Sequence, residues 1–303
     1  MRVHHLNCIS SCPLGGKLMD AGPETLLQRG HLTNHSLLIE TGSELVLVDT
    51  GFGLQEVANP HSRLSGFFLD LVSPDFREEM TAIRQIENLG FAPRDVRHIV
   101  LTHLDFDHAG GLDDFPQARV HMLQAERDYA FLQNTWLDRQ RYRPQQWATK
   151  ENWEVYKAGE GETWFGFDRV HALTGITDDI AMIPLIGHTF GHAGVAVRGN
   201  DGQWLLNAGD AYFFHEEMNV HHPYCTPGLK FYQLMMDKDH DARVWNQERL
   251  RELCGTHSGE IEIFCSHDVV EFERISGRSA EIPAEKIVAA RSPASARIER
   301  PLH

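Results

Sequence analysis

The stretch "LTHLDFDHAGGL", residues 101–112, sets His103, Asp105, Asp107 and His108 within six positions, just before two glycines. Histidine is the commonest metal ligand among side chains, and carboxylates are its usual companions. Taken alone, the motif reads either as part of a metal site or as a solvated turn whose acidic residues cap a helix after Gly111.

The flanking sequence favours the metal site. "VRHIVLT" is a short β-branched run, so His103 sits at the C-terminal end of a strand, where α/β folds place their chemistry. Three further polar residues stand in the same relation to β-rich runs. His188 follows "AMIPLIG", Asp210 follows "WLLNAG" and His267 follows "IEIFCS". Strands lying side by side would bring seven potential ligands to one rim: His103, Asp105, Asp107, His108, His188, Asp210 and His267. Seven exceed the needs of one tetrahedral ion and suit two metals sharing a bridge.

The rest of the chain is consistent with a globular metalloprotein. Its 303 residues are 42% hydrophobic and 23% charged, with 19 histidines and a formal net charge of -15. So acidic a surface repels phosphate backbones, and no Lys/Arg run offsets it, so nucleic acid is not expected as a partner. No apolar stretch approaches the length of a membrane span, and "MRVHHLNCISSCPLGG" lacks the apolar core of a signal peptide. Five cysteines without a CxxC pair read as free thiols in a reducing cytoplasm.

"NHSLLIE" and "ELVLVDTGFG" read as adjacent strands joined by a tight turn. "SPDFREEMTAIRQIENLG" reads as a helix started at Ser73, Pro74 and Asp75, with Met80, Ile83 and Ile86 on one face and Gly90 as its stop. Residues 121–165 read as a helical, tryptophan-rich insertion or lid, and the chain from Ser276 as an Ala-, Arg- and Pro-rich arm. The expected organisation is therefore one α+β domain over residues 1–275, with two packed sheets and helices outside, followed by an arm over 276–303.

"VLVDTG", "IVLTHLDFDHAGGL", "GHTFGH", "NAGDA" and "SHD", in that order over residues 34–268, resemble the five motifs of the metallo-β-lactamase-fold superfamily. The resemblance implies an αββα sandwich of two mixed sheets with a dinuclear metal site on one edge. It implies His103, Asp105 and His188 on a first ion, Asp107, His108 and His267 on a second, and Asp210 bridging them. Asp49 and His192 would stand behind these ligands and orient them. The implied cofactors are two divalent ions, zinc first.

Most hydrolytic members carry His-x-His-x-Asp-His, whereas this chain has Asp105 at the third position. Two divalent ions contribute +4, and two aspartates with a bridging hydroxide contribute -3, leaving +1. Asp105 brings the sum to zero, which should raise the pKa of bound water, and a carboxylate also favours harder ions, so iron or manganese becomes more competitive with zinc. Asp105 is thus either a hard ligand or a hydrogen-bonding neighbour of one.

A bridged dinuclear site supplies a hydroxide nucleophile and a Lewis acid for a carbonyl. Among family branches the chain is most similar to acyl-homoserine-lactone lactonases. That similarity implies Asp107 as a proton-transfer group and Tyr212 as a donor to the carbonyl oxygen. The expected substrate is a small molecule with a lactone or ester carbonyl. The alternatives are a thioesterase, a small phosphodiesterase, or a non-catalytic protein that senses metal or redox state. An N-terminal segment able to pack across a homodimer is also expected. His4, His5, His221 and His222 read as surface residues.

Overall fold

The computed structural model describes residues 1–280 except 21, 23, 24, 43 and 158. The expected C-terminal arm therefore lies outside the described residues from position 281 onward. Among the described residues, twelve strands form two six-stranded sheets. The first sheet holds β1 (Arg2–Asn7), β2 (His35–Glu40), β3 (Leu45–Val48), β4 (Val96–Val100), β5 (Arg119–Leu123) and β6 (Trp153–Tyr156), in that spatial order. The second holds β7 (Glu162–Trp164), β8 (Phe167–Ala172), β9 (Ile180–Pro184), β10 (Ala193–Arg198), β11 (Trp204–Asn207) and β12 (Ile261–Phe264), again in chain order across the sheet.

Both sheets are mixed. Strands β1, β2 and β3 pair antiparallel and β3 to β6 parallel, while β7 to β11 pair antiparallel and β11 with β12 parallel.

Alternation along the strands builds the layers. In β2, Leu37 and Ile39 join Val46, Val48 and Val100 against Met182, Val195, Val197 and Phe264 of the other sheet. Leu38, on the opposite face, packs with Leu47, Ile99 and Ile86 of the helix Ala82–Asn88. Likewise Ile183 and Leu206 meet Leu250 and Leu253 of the helix His240–Thr256. The result is the expected αββα sandwich.

Strand direction then gathers the motifs. Strands β3 and β4 are parallel neighbours and end on one edge. Strands β9 and β11 both run antiparallel to β10, and β12 runs parallel to β11, so these three also end together. The sheets are tied at that edge by Ala193 N–H donating to the Thr102 carbonyl (2.9 Å) and by His35 N–H donating to the Ser266 carbonyl (2.8 Å).

Two local expectations are corrected. The helix expected from Ser73 starts later, at Ala82 after a short 3-10 turn Glu78–Met80. Pro74 and Asp75 are held in extended pairing with Ser10 and Ser11, where Asp75 N–H donates to the Ser10 carbonyl (2.9 Å). Residues 121–165 are not a helical insertion. They complete β5, supply β6 to the first sheet and β7 to the second, and contribute the helices Gln124–Leu132 and Trp136–Arg141. Their tryptophans mostly fill existing cores. Trp147 and Trp153 pack on the first outer cluster and Trp164 on the second, leaving Trp136 exposed. No helix among the described residues is long and apolar enough to cross a membrane.

Candidate metal centre

The polar loops after the strands are held by backbone geometry as much as by side chains. Gly51, just after β3, has φ +62°, and a Cβ there would lie 2.2 Å from Cys8 Cβ. Gly209, before Asp210, has φ +55°, and a Cβ would lie 2.6 Å from His192 Nε2. Only glycine meets both demands without strain. Asp49 itself takes φ 54°, an uncommon conformation for a residue with a side chain.

That unusual backbone is over-determined by its contacts. The Asp49 carboxylate accepts from Thr102 N–H and from the Thr102 hydroxyl, each at 2.8 Å, and from His108 Nδ1–H at 2.9 Å. A protonated Nδ1 leaves His108 Nε2 with its lone pair free, 3.3 Å from Asp210 Oδ1. His267 is set the same way, donating from Nδ1 to the Thr33 carbonyl (2.7 Å) and turning Nε2 toward Asp210 Oδ1 at 3.1 Å.

His192 is different. Its Nδ1 donates to the Leu185 carbonyl (2.8 Å) and its Nε2 accepts from the Asp210 backbone N–H (2.8 Å). With both nitrogens engaged, it orients Asp210 and offers no lone pair to an ion.

Two groups of donor atoms result, each gathered within 4.8 Å. One contains His103, His188 and Asp210, and the other Asp107, His108 and His267. Asp105 borders the first, with Oδ2 3.3 Å from His103 Nε2 and 3.0 Å from His188 Nε2. Asp210 Oδ2 lies 3.7 Å from His103 Nε2 and 3.4 Å from His188 Nε2. Two donors about 2.1 Å from one zinc ion lie about 3.4 Å apart across a tetrahedral angle, so these spacings suit a shared cation. His103 Nε2, His108 Nε2 and Asp210 Oδ1 are buried with no hydrogen-bond partner among the described residues, a costly state unless an ion satisfies them. The donor set therefore fits divalent metal.

The protein's own charges add to this polarity. Burial raises the Asp210 carboxyl, but His267, His108 and His103 outweigh it and hold it well below the usual carboxylate range. At Asp107 burial wins, helped by Asp210 and Asp105, and the carboxyl is raised.

Two expectations about individual residues change. Tyr212 does not face these donors. Its ring lies in the cluster between the second sheet and the helix His240–Thr256, and its hydroxyl donates to Glu271 (2.9 and 3.1 Å). After Asp210 the chain turns into the core, and Ala211 and Tyr212 both pack in that cluster. The tyrosine at the site is Tyr232, on the helix Pro227–Met236. It lines a cavity of about 210 Å3 together with Asp107, Phe213 and His267. Burial, then Asp107, Asp105 and Asp210, raises its phenol well above the ordinary value, so it stays protonated.

The second change is the company that Asp105 keeps. Its carboxylate is paired with the fully buried Arg141, 36 residues away in sequence. No local pattern announces Arg141 or Tyr232, since each reaches the site from a helix remote in the chain. Glu126 was equally hidden. It accepts from Leu104 N–H (2.8 Å) and the Thr189 hydroxyl (2.5 Å), tying the loops after β4 and β9 together. His221 and His222 are exposed, as expected of surface residues, whereas His4 and His5 are half-buried in β1, His4 against Glu40 (2.7 Å) and His5 against His35 (2.9 Å).

The second donor group is the open one. Beside the 210 Å3 cavity, which is walled by Leu14, Met19, Leu71, Val72 and Met235, lies another of about 470 Å3. Leu32, Phe213 and His267 border both. The Phe213 ring stacks on His267 with centroids 5.0 Å apart.

Comparison with known proteins agrees with this architecture. Residues 29–239 match the model of the metallo-beta-lactamase superfamily. A Mycobacterium tuberculosis protein named "Probable metallo-hydrolase" is 37% identical over 270 residues, covering 88% of this chain and 80% of that protein. An N-acyl homoserine lactonase of Bacillus cereus is 30% identical over 122 residues, 39% of this chain and 49% of the lactonase. A solved N-acyl homoserine lactone hydrolase, with N-hexanoyl-L-homoserine bound at its catalytic metal center, has the same fold. It superposes with a TM-score of 0.66 at 20% identity, covering 92% of this chain and 96% of the other.

Proposed function

Because the chain belongs to the metallo-beta-lactamase superfamily and is a metallo-hydrolase, we propose that it holds two divalent ions and opens a lactone or cleaves an ester. His103, Asp105 and His188 hold the first ion, Asp107, His108 and His267 the second, and Asp210 serves both. The observation that carries this reading is the division of Asp210. Its Oδ2 lies 3.4 Å from His188 Nε2 while its Oδ1 lies 3.3 Å from His108 Nε2, and His267 Nε2 reaches Oδ1 and Oδ2 at 3.1 and 3.3 Å. The bound ions would supply Lewis acidity and a water acidified enough to attack a carbonyl.

The remaining work falls to the protein's own groups. The apolar cavity beside Asp107 takes the hydrophobic part of a small substrate and excludes water around the reacting carbonyl. Tyr232, kept protonated, donates from its hydroxyl to the oxyanion that develops on the carbonyl oxygen. Asp107, at the open side of the site, passes to the leaving alkoxide the proton released by the attacking water. Asp49 holds the His108 tautomer and His192 holds the Asp210 backbone, so the donors do not have to reorganise.

The test is metal content by elemental mass spectrometry together with turnover on a γ-lactone, an aryl ester, a thioester and a phosphodiester. Two ions per chain with the lactone or aryl ester turned over fastest is the expected result. A phosphodiester or thioester turned over fastest would move the assignment to the corresponding branch. One ion per chain would remove the dinuclear part.

A further inference from the structure

The buried pair of Asp105 and Arg141 is built into the fold rather than added at its surface. Arg141 ends the helix Trp136–Arg141, whose first turn is closed by Thr135 and Asp138 capping one another. Asp138 is in turn ion-paired with Lys238. From that anchored position the guanidinium grips Asp105 with two parallel bonds, Nε to Oδ1 at 2.6 Å and Nη2 to Oδ2 at 2.5 Å. Its remaining arm, Nη1, donates to the Met236 carbonyl at 2.6 Å. A two-pronged grip of this kind fixes the plane of a carboxylate as well as its position.

The guanidinium does not fill the space between the donors. Nη2 also donates to His188 Nε2 at 3.0 Å, so an ion on His188 would take that lone pair over and leave Arg141 on Asp105; among the described residues Asp105 is the one carboxylate that Arg141 ion-pairs with, and His103 Nε2 has no hydrogen-bond partner. A group at the centre of the first donor set would reach Asp210 and His103 as well. Arg141 therefore stands behind the edge formed by Asp105 and His188, while Asp105 Oδ2 keeps its 3.3 and 3.0 Å spacings to His103 and His188.

We infer that Asp105 and Arg141 together act as one electrically neutral oxygen ligand for the first ion, taking the place of a neutral imidazole, with Arg141 as its positioning residue. The inference rests on the dinuclear reading above. Its consequence is a revised charge count. The extra negative charge that Asp105 brings is cancelled within 2.6 Å, so the centre returns to the +1 of an all-histidine first site. The rise in the pKa of bound water expected from the charge of Asp105 alone is thereby removed, while the ligand atom remains an oxygen.

The experiment compares ions bound per chain, by elemental mass spectrometry after equilibration in a zinc buffer, for the unmodified protein, Asp105→His, and Asp105→His with Arg141→Gln. The expected values are two, one and two. Histidine alone leaves a buried guanidinium unpaired beside His188, which repels the first ion, and removing that guanidinium restores it. If Arg141 merely braced the Met236 carbonyl, the double variant would be worse than the single one. Two ions in the unmodified protein and two in Asp105→His would overturn the inference while leaving the dinuclear reading intact, as would one ion in both variants. One ion in the unmodified protein would overturn the dinuclear reading and this inference with it. Should Asp105→His not fold, Arg141→Gln carries the test. Its carboxylate, no longer held in one plane, should bind the first zinc ion about 10- to 100-fold more weakly in competition with a chromophoric chelator, and an unchanged affinity would overturn the inference.

Discussion

The two donor groups share Asp210 but are built for different work. The first, with His103, Asp105 and His188, is sealed by Arg141 behind it and by Glu126 bracing its loops. The second, with Asp107, His108 and His267, opens on two cavities and faces Tyr232. Charge is compensated internally at the first group, whose His103, Asp105 and His188 line neither cavity. At the second, polar atoms border an apolar wall, as a reacting carbonyl requires. The difference teaches that one motif, "HLDFDH", splits its residues between an electrostatic anchor and a working face, with Asp105 turned to the one and Asp107 to the other.

The strongest test of that division is the residue common to both sides. Asp210→Ala should lose both ions and reduce lactone turnover to the uncatalysed background, as read by elemental analysis and a pH-stat assay. Retention of one full equivalent of metal would mean that the two groups do not depend on a shared carboxylate.

The next test sets two tyrosines against each other. Tyr232→Phe should lower kcat by roughly 10²-fold with metal content unchanged, the usual cost of removing one oxyanion donor. Tyr212→Phe should leave kcat alone. It strips the buried Glu271 of a hydroxyl donor, so it should cost about 1–3 kcal/mol in chemical denaturation. The opposite pattern would return the donor role to Tyr212.

The smallest effect calibrates what burial does to a histidine outside either group. His121, in β5, contacts the Tyr156 hydroxyl (2.8 Å) and His98 (2.9 Å), and burial, then His98 and Arg119, push its pKa down to about 3. A folded pKa below the unfolded 6.5 contributes stability above pH 6.5, and this is lost as pH falls from 6.5 toward 3. The melting temperature should therefore drop between pH 7 and pH 5, and His121→Gln should make that decline shallower. An identical slope in the variant would show that folding does not lower the pKa of His121.

Legibility followed the range of the interaction. His188, Asp210 and His267 could be found because each follows an apolar run, and a run of that kind makes a strand wherever it falls in the chain. The helix near residue 80 was misplaced at its start because Pro74 and Asp75, good helix-start residues by type, are claimed by pairing with Ser10 and Ser11. Residues 121–165 read as an insertion because their strands are short and separated by helices, and their membership of two sheets is a matter of partners that lie far away in sequence.

Tyrosine 212 shows the limit most directly. Its spacing from Asp210 suggested a role at the site, but a two-residue offset in a turn can point a side chain either way, and the core claimed this one. By itself the sequence determined the strand-end donors, which follow from local periodicity and residue type, and through its resemblance to the metallo-β-lactamase-fold superfamily it implied the sandwich and the metal-dependent chemistry. Only the tertiary structure decided that Asp105 is paired with Arg141, that Tyr232 and not Tyr212 faces the donors, and which donor group opens to substrate. Each of those outcomes depends on groups brought together by packing across tens of residues, where neither propensity nor spacing carries the information.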